Sequence, residues 1–287
     1  MKRVLLFGAT GFLGSQVSTA FGADVILIGV RRQQHDLRRD STAQLITLVG
    51  AIRPDVVVNC TGLLSGSVAE LVAANVLATG HLIDAVRAVA PGARLIVLGS
   101  ADEYGVVPTG KPVTEDSPTV PVSAYGITKV ASTALIQAAG LDAVSLRVFD
   151  PIGPGAGGNT VLGRAAAGVR AAMRHGSKEI SLGPLDSYCD FVDVRDVARA
   201  IALAALAPQV GQTLLNVGSG NAVLTRDAVR LLAETAGFTG EIKESGAPGQ
   251  RPGAPAWIAA DISRIGQALD WRPEYDLGSS IRKMVTG

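Results

Sequence analysis

Tyr125 and Lys129 stand four residues apart in Tyr125-Gly126-Ile127-Thr128-Lys129, at the start of a segment with helical spacing. The phenol and the ammonium therefore share one helix face. A free phenol has a pKa of about 10 and exchanges protons poorly at neutral pH, but a neighbouring cation favours the phenolate and lowers that value. The spacing predicts a proton-transfer pair in which Lys129 tunes Tyr125. Ser100 follows the apolar run Leu95-Leu98, at the carboxyl edge where an open α/β sheet places its ligand. A hydroxyl there can hydrogen-bond a substrate carbonyl.

A second group could hold a cofactor. Gly8-Ala9-Thr10-Gly11-Phe12-Leu13-Gly14 follows the first apolar run directly and opens the first helical segment. A helix N-terminus offers unpaired N–H groups and a positive dipole end, and glycines let a pyrophosphate approach the main chain. The G-x-x-G-x-x-G spacing would also suit a tight strand-to-helix turn without a ligand, and what favours the dinucleotide is its place between strand and helix. After the second run come Arg31 and Arg32, where a dinucleotide fold meets the adenosine ribose. Arginine there pairs with the 2′-phosphate of NADP, whereas an acid would bond the 2′-hydroxyl of NAD. The alternative is a solvated surface pair. Asp36 and Leu37, with Asp40, contact adenine or cap the next helix.

These groups need a scaffold that brings strand ends together. Val4-Phe7, Val25-Val30, Val56-Cys60, Leu95-Leu98 and Val144-Val148 are continuous apolar runs, as expected of parallel strands covered on both faces. Phe12-Phe21, Thr42-Ile52, Val68-Ala90 and Ser123-Ala139 have helical spacing, with Pro54, Pro91-Gly92 and Gly140 at their ends. The fold class is α/β, a doubly wound parallel (Rossmann) sheet with a smaller, discontinuous C-terminal lobe. The glycine-rich stretch 153–158 marks the change of lobe. Phe191-Val192 and Leu214-Val217 read as strands able to return to the main sheet. The expected division is a dinucleotide-binding domain of 1–149 and 189–218 and a substrate lobe of 150–188 and 219–287.

Composition narrows the partners. The 287 residues are 47% hydrophobic and 18% charged, with 26 Lys+Arg against 25 Asp+Glu. A net charge of +1 supplies no field for a nucleic-acid backbone. Cys60 and Cys189 lie far apart without companion ligands, and His35, His81 and His175 form no metal or nucleophile pattern, so no metal is expected and a cytoplasmic setting fits. Glycines break the N-terminal apolar stretch too early for a signal peptide. Polar breaks interrupt every window of membrane-spanning length, Val68 to Ala90 included, so no membrane partner is expected. Gly62-Leu63-Leu64-Ser65-Gly66 lacks the spacing of a hydrolase elbow.

Taken together, Gly8 to Gly14, Asn59-Cys60-Thr61-Gly62, Ser100 to Gly105, Tyr125 to Lys129 and Asp190 to Val194 resemble the extended short-chain dehydrogenase/reductase family of nucleotide-sugar epimerases, dehydratases and reductases. The resemblance spans nearly the whole chain. It implies Tyr125 as proton donor, Lys129 on the nicotinamide ribose and Tyr125, and Ser100 on the reacting oxygen. It adds Thr10, Phe12, Leu13, Cys60, Thr61 and Gly62 to the cofactor site, and implies Asp102, Asp150, Asn159, Tyr188 and Arg251 around the substrate. The short link from Arg32 to Asp36, with Arg53-Pro54-Asp55, is similar to dTDP-4-keto-rhamnose reductases, and the stretches from Ser100 and from Asp190 look like GDP-4-keto-6-deoxymannose reductases. Two departures concern the diphosphate: relatives usually have asparagine at Asp150 and arginine at Cys189.

The expected activity is NADPH-dependent reduction of a nucleotide-activated 4-keto-6-deoxysugar, with NAD as a possible substitute. Two rivals stand beside it. One is an epimerase or 4,6-dehydratase with retained NAD, for which Asp102-Glu103 would be the acid–base pair. The other is a non-catalytic NADP-binding regulator on the same fold. Tyr188 and Trp257 either stack on a base or sugar or pack in the core. The helices from Val68 and from Ser123 carry apolar residues on more than one face, which predicts a homodimer.

Overall fold

The computed structural model describes residues 1–23, 25–245 and 255–286. The described residues form eleven strands: β1 (Lys2–Phe7), β2 (Val25–Val30), β3 (Val56–Asn59), β4 (Arg94–Ser100), β5 (Ala143–Val148), β6 (Asp150–Ile152), β7 (Glu179–Leu182), β8 (Tyr188–Asp193), β9 (Leu214–Val217), β10 (Ala222–Leu224) and β11 (Glu241–Glu244). Six make one parallel sheet in the order β2-β1-β3-β4-β5-β9. The chain runs outward from β1 to β2 and then back past β1 to β3, so the connections diverge beyond the carboxyl ends of β1 and β3. That crevice is where an open α/β sheet receives its ligand.

The alternation of side chains along β1 shows how the layers form. Val4 and Leu6 point to one face, against Val17, Val197 and Ile201 of the helices Phe12–Ala20 and Val194–Leu206. Leu5 and Phe7 point to the other, against Leu45, Leu82, Val86 and Ile136 of the helices Thr42–Ile52, Val68–Val89 and Ala124–Ala138. Each such side chain, when fully buried, contributes roughly 1.5–3 kcal/mol relative to exposure. The central strands are buried on both faces as their sequence predicts. β2 differs because, among the described residues, no strand pairs beyond it: it is the sheet edge, and Ile26 is 45% exposed.

Of the two later runs expected to return to the main sheet, Leu214–Val217 does so beside β5. Phe191-Val192 does not. It lies in β8, parallel to β6 and antiparallel to β10, because β9 already occupies the edge of β5. The second lobe has its own core, with Leu162, Val169, Leu232 and Ile281 from the helices Val161–His175, Thr225–Thr235 and Leu277–Thr286. Asp190 of β8 is fully buried and accepts from the N–H groups of Ser219, Gly220 and Ala260 and from the Ser219 hydroxyl, at 2.6–3.0 Å. One carboxylate thereby pins three separate chain segments.

The reading of Val68 to Ala90 needs one correction. The helix Val68–Val89 has a mean hydropathy of 1.3 and the length to cross a membrane. Its inner face, however, is packed: Leu71, Ala74, Ala78, Leu82 and Val86 are buried, and Leu82 and Val86 lie in the core beneath the sheet. Its polar residues serve this position rather than breaking it, as Asn75 shows below.

Candidate active site

The glycine turn leaves β1 with Gly8 at φ +80°, a left-handed conformation that glycine adopts without strain. Gly11 N–H donates to the Gly8 carbonyl at 3.0 Å, and the helix begins at Phe12. A Cβ at Gly14 would stand 1.9 Å from the Gly8 oxygen, so the first helical turn is pressed onto the loop. Among the described residues no side chain caps this helix. Its first N–H groups lack intrahelical acceptors and lie beside the exposed Thr10 and half-buried Phe12 and Leu13, which fits an anionic pyrophosphate. Cys60, Thr61 and Gly62 follow β3 directly next to the turn: a Cβ at Gly8 would meet the Cys60 backbone at 3.0 Å. Burial pushes the Cys60 thiol up to about 12, so it is a packing residue without thiolate chemistry. Thr61 is fixed by Asn59, whose Oδ1 accepts from its N–H and hydroxyl.

Arg31 and Arg32 are exposed at the end of β2, in a loop that leads straight into the next helix. Asp36 is occupied: Nε and Nη2 of Arg38 donate to its two oxygens at 3.0 and 2.8 Å and hold the carboxyl down at about 2. Asp40 accepts from the Asp36 N–H and pairs with His35. The next helix is capped by Ser41 in a capping box with Gln44, so neither acid is its cap. Leu37 has its side chain buried with Phe7 and Val30 beneath the sheet and anchors the loop.

Ser100, Tyr125 and Lys129 converge at the carboxyl end of β4. Ser100 is its last residue, and its Oγ accepts from the Asp102 N–H at 3.2 Å. The phenol of Tyr125 lies beside the Ser100 side chain, close enough for that hydroxyl to act on it. Lys129 is buried, donates from Nζ to the Leu98 carbonyl at 2.9 Å, and lies 5.7 Å from the Tyr125 ring centroid. The expected tuning runs the other way. Burial, together with the charges of Asp102, Glu103 and Asp150, raises the Tyr125 pKa above the ordinary phenol value. The lysine is the group brought towards neutrality, because burial lowers it to about 8. Both shifts have one cause, the cost of a charged form away from water.

Asp102 and Asp150 are half-buried and close enough to act on the phenol. Glu103 belongs to the same turn yet faces inward, fully buried and paired with Arg147 at 2.7 Å. The adjacent acids thus have different surroundings. In the second lobe, Asn159 is exposed in the loop before the helix Val161–His175. Tyr188, 41% exposed, opens β8 and forms a bridge with Trp257 through the backbone of Ala256 and Ile258. Cys189 turns the opposite way, into the lobe core, with Sγ 3.6 Å from Thr225 Oγ1. Arg251 lies outside the described residues.

Sequence reasoning missed Asn75. It is buried inside a π-wound segment, Val72–Leu77, of the helix Val68–Val89. Its Nδ2 donates to the Leu63 carbonyl and to Thr128 Oγ1, and its Oδ1 accepts from the Leu63 N–H, each at 3.0 Å. One side chain joins the loop after β3 to the helix bearing Tyr125 and Lys129. A lone asparagine in an apolar helix was the available signal, since a buried amide demands partners.

A family model described as the NAD dependent epimerase/dehydratase family matches residues 4–218. The chain is 34% identical over 302 residues to a dTDP-6-deoxy-L-talose 4-dehydrogenase (NAD(P)(+)) of Kitasatospora kifunensis, covering 99% of this chain and 95% of the relative. It is similar in structure to RMD from Pseudomonas aeruginosa complexed with NADPH, with a TM-score of 0.86 and 25% identity over 100% of this chain and 98% of that one. It is also similar to the UDP-glucose 4-epimerase of Thermus thermophilus in complex with NAD, with a TM-score of 0.83 and 26% identity over 99% and 97%. The chain belongs to the NAD dependent epimerase/dehydratase family.

Proposed function

We propose that this oxidoreductase is an NADPH-dependent reductase of a nucleotide-activated 4-keto-6-deoxysugar. The observation that carries the reading is the half-buried Tyr125 phenol, which lies beside Ser100 and is held in its protonated form. A reduction needs a proton at the carbonyl oxygen as the carbon is reduced, and a phenol that keeps its proton until then is the donor. When bound, the nicotinamide cofactor supplies the hydride to the carbonyl carbon. Ser100 holds the carbonyl oxygen, and Tyr125 gives that oxygen its proton as the C–O double bond becomes a single bond. Lys129, fixed by the Leu98 carbonyl, lies beside the ring and faces the cofactor loop, since a Cβ at Gly62 would be 3.6 Å from its Nζ. The turn Gly8 to Gly14, with Thr61 and Gly62, would hold the cofactor, and Arg31 and Arg32 would take its 2′-phosphate.

The similarity to a dehydrogenase acting at a sugar 4-position supports this reading. The surroundings of Glu103 weigh against a dehydratase, because an acid enclosed by Arg147 has no access to substrate. Asp102 and Asp150 are proposed to accept from sugar hydroxyls, and Asn159, Tyr188 and Arg251 to line the rest of the substrate site. We further propose a cytoplasmic homodimer, formed by the helices Val68–Val89 and Ala124–Ala138, which leave Val68, Leu77, Ile127 and Leu135 exposed. Sedimentation as a monomer at micromolar concentration would refute the dimer.

The activity test incubates the purified protein with dTDP-6-deoxy-L-talose and NADP⁺. NADPH formation supports the reductase, run backwards. No NADPH, together with a tightly held NAD and conversion of UDP-glucose to its 4-epimer, replaces it with the epimerase.

A further inference from the structure

Glu103 is fully buried and both of its oxygens are engaged. Oε1 accepts from the Ser100 N–H at 2.9 Å and from the Thr133 hydroxyl at 3.0 Å, and Oε2 accepts from Nε of Arg147 at 2.7 Å. The room for this carboxylate is made by Gly99, where a Cβ would stand 2.5 Å from Oε1. Burial pushes the Glu103 carboxyl up, while Arg147 and the two other donors pull it back towards the ionised form. A proton on either oxygen would face a donor.

The partners of Glu103 belong to the two elements that carry the catalytic groups. Ser100 ends β4. Thr133 lies on the helix Ala124–Ala138, one turn beyond Lys129 and two beyond Tyr125, so all three share a face. We propose that Glu103, paired with Arg147, is a positioning residue that fixes Ser100 against the Tyr125–Lys129 helix and sets the charge beneath that pair. This rests on the reading of Ser100, Tyr125 and Lys129 as the catalytic group. A displacement of about 1 Å between such groups costs on the order of a hundredfold in rate. The charge follows from what surrounds them: Tyr125 is faced by Asp102, Glu103 and Asp150, Lys129 is faced by Glu103, and Arg147 stands behind Glu103. Burial lowers Lys129 and Glu103 partly restores it.

The test uses the full chain with its lysines labelled with ¹³C at the ε carbon and titrated by NMR without ligand, Lys129 being the resonance lost in Lys129→Met. Glu103→Gln should move the Lys129 titration down by about half a pH unit. It should also lower kcat for NADP⁺-linked oxidation of dTDP-6-deoxy-L-talose at least about tenfold, with KM for NADP⁺ within about twofold. Thr133→Val keeps the ion pair and removes the tether to the helix, together with the hydroxyl bond between Thr133 and Ser145 at 3.0 Å. It should lower kcat several-fold and leave the Lys129 titration in place. A folded Glu103→Gln with wild-type titration and kcat overturns the proposal, and if that variant does not fold, Thr133→Val with wild-type kcat does so. Tyr125→Phe is measured alongside. If it turns over normally, or the wild type leaves the sugar unchanged, the catalytic reading fails, while the lysine titration still decides whether the charge of Glu103 acts on Lys129.

Discussion

The Lys129 ammonium lies alongside the Tyr125 ring, 5.7 Å from its centroid, and is anchored on the Leu98 carbonyl at 2.9 Å. The lysine is thus fixed to the sheet, and the phenol is left to interact with Ser100. Position and protonation are set by different neighbours, which makes the two residues separable by experiment.

Lys129→Met should stabilise the fold at pH 7 while abolishing activity. Below about pH 8 both folded and unfolded chains hold the Lys129 proton, and the folded chain bears the cost of burying it. Between about 8 and the ordinary 10.5 only the unfolded chain holds it, so stability from this group rises with pH. The variant should gain at most roughly 3.5 kcal/mol at pH 7, less about 1 kcal/mol for the donor lost to Leu98, and the gain should shrink towards pH 10. Urea unfolding at both pH values measures this, and a variant less stable than wild type at pH 7 contradicts the burial cost.

Tyr125→Phe should retain cofactor affinity and lose about a hundredfold or more of kcat, because the ring stays and the proton donor goes. Cofactor titration and steady-state kinetics on the same preparation decide it. Activity within a few-fold of wild type removes Tyr125 from the mechanism.

Arg31→Ala with Arg32→Ala should erase a preference for NADPH over NADH by weakening NADPH alone. A charge-assisted contact to the 2′-phosphate is worth roughly 1.5–3 kcal/mol, about ten- to a hundredfold in affinity. Both arginines are exposed, which puts the effect at the low end, and salt should reduce it further. The comparison is kcat/KM for both cofactors in each protein. Equal use by the wild type would make the arginines ordinary surface residues.

Gly14→Ala should cost several kcal/mol of stability and most of the cofactor affinity, since its Cβ would overlap the Gly8 carbonyl. Gly22→Ala, with nothing within 4 Å of the new Cβ but φ at +63°, should cost only about 1 kcal/mol. A thermal melt of the two variants together separates overlap from backbone conformation, and equal shifts would argue against the close packing at Gly14.

The sheet was legible because its strands are short β-branched runs between helix-period segments, and the glycine turn because its position, not its composition, is informative. The Tyr125–Lys129 spacing identified the helix face, but the direction of their pKa shifts was hidden, since burial is a property of the assembled site. Glu103 was misread for the same reason: adjacent acids look alike in sequence, and only packing sends Asp102 towards the phenol and Glu103 to Arg147. β8 was misplaced because an apolar strand does not say which sheet it joins. Asn75 was read as a break in an apolar helix, although its amide is satisfied within the fold.

Strand β9 joins the main sheet beside β5, with the residues between them building much of the second lobe. During synthesis the flank of β5 therefore remains an unpaired, largely apolar edge until more than sixty further residues have emerged. Asp190 is not fully satisfied until Ala260 arrives later still. Contacts this distant in sequence slow folding and prolong exposure of sticky intermediates. Chains cut short before β9 should accumulate as aggregates, and translation pauses near residue 150 should be more damaging than pauses beyond residue 220.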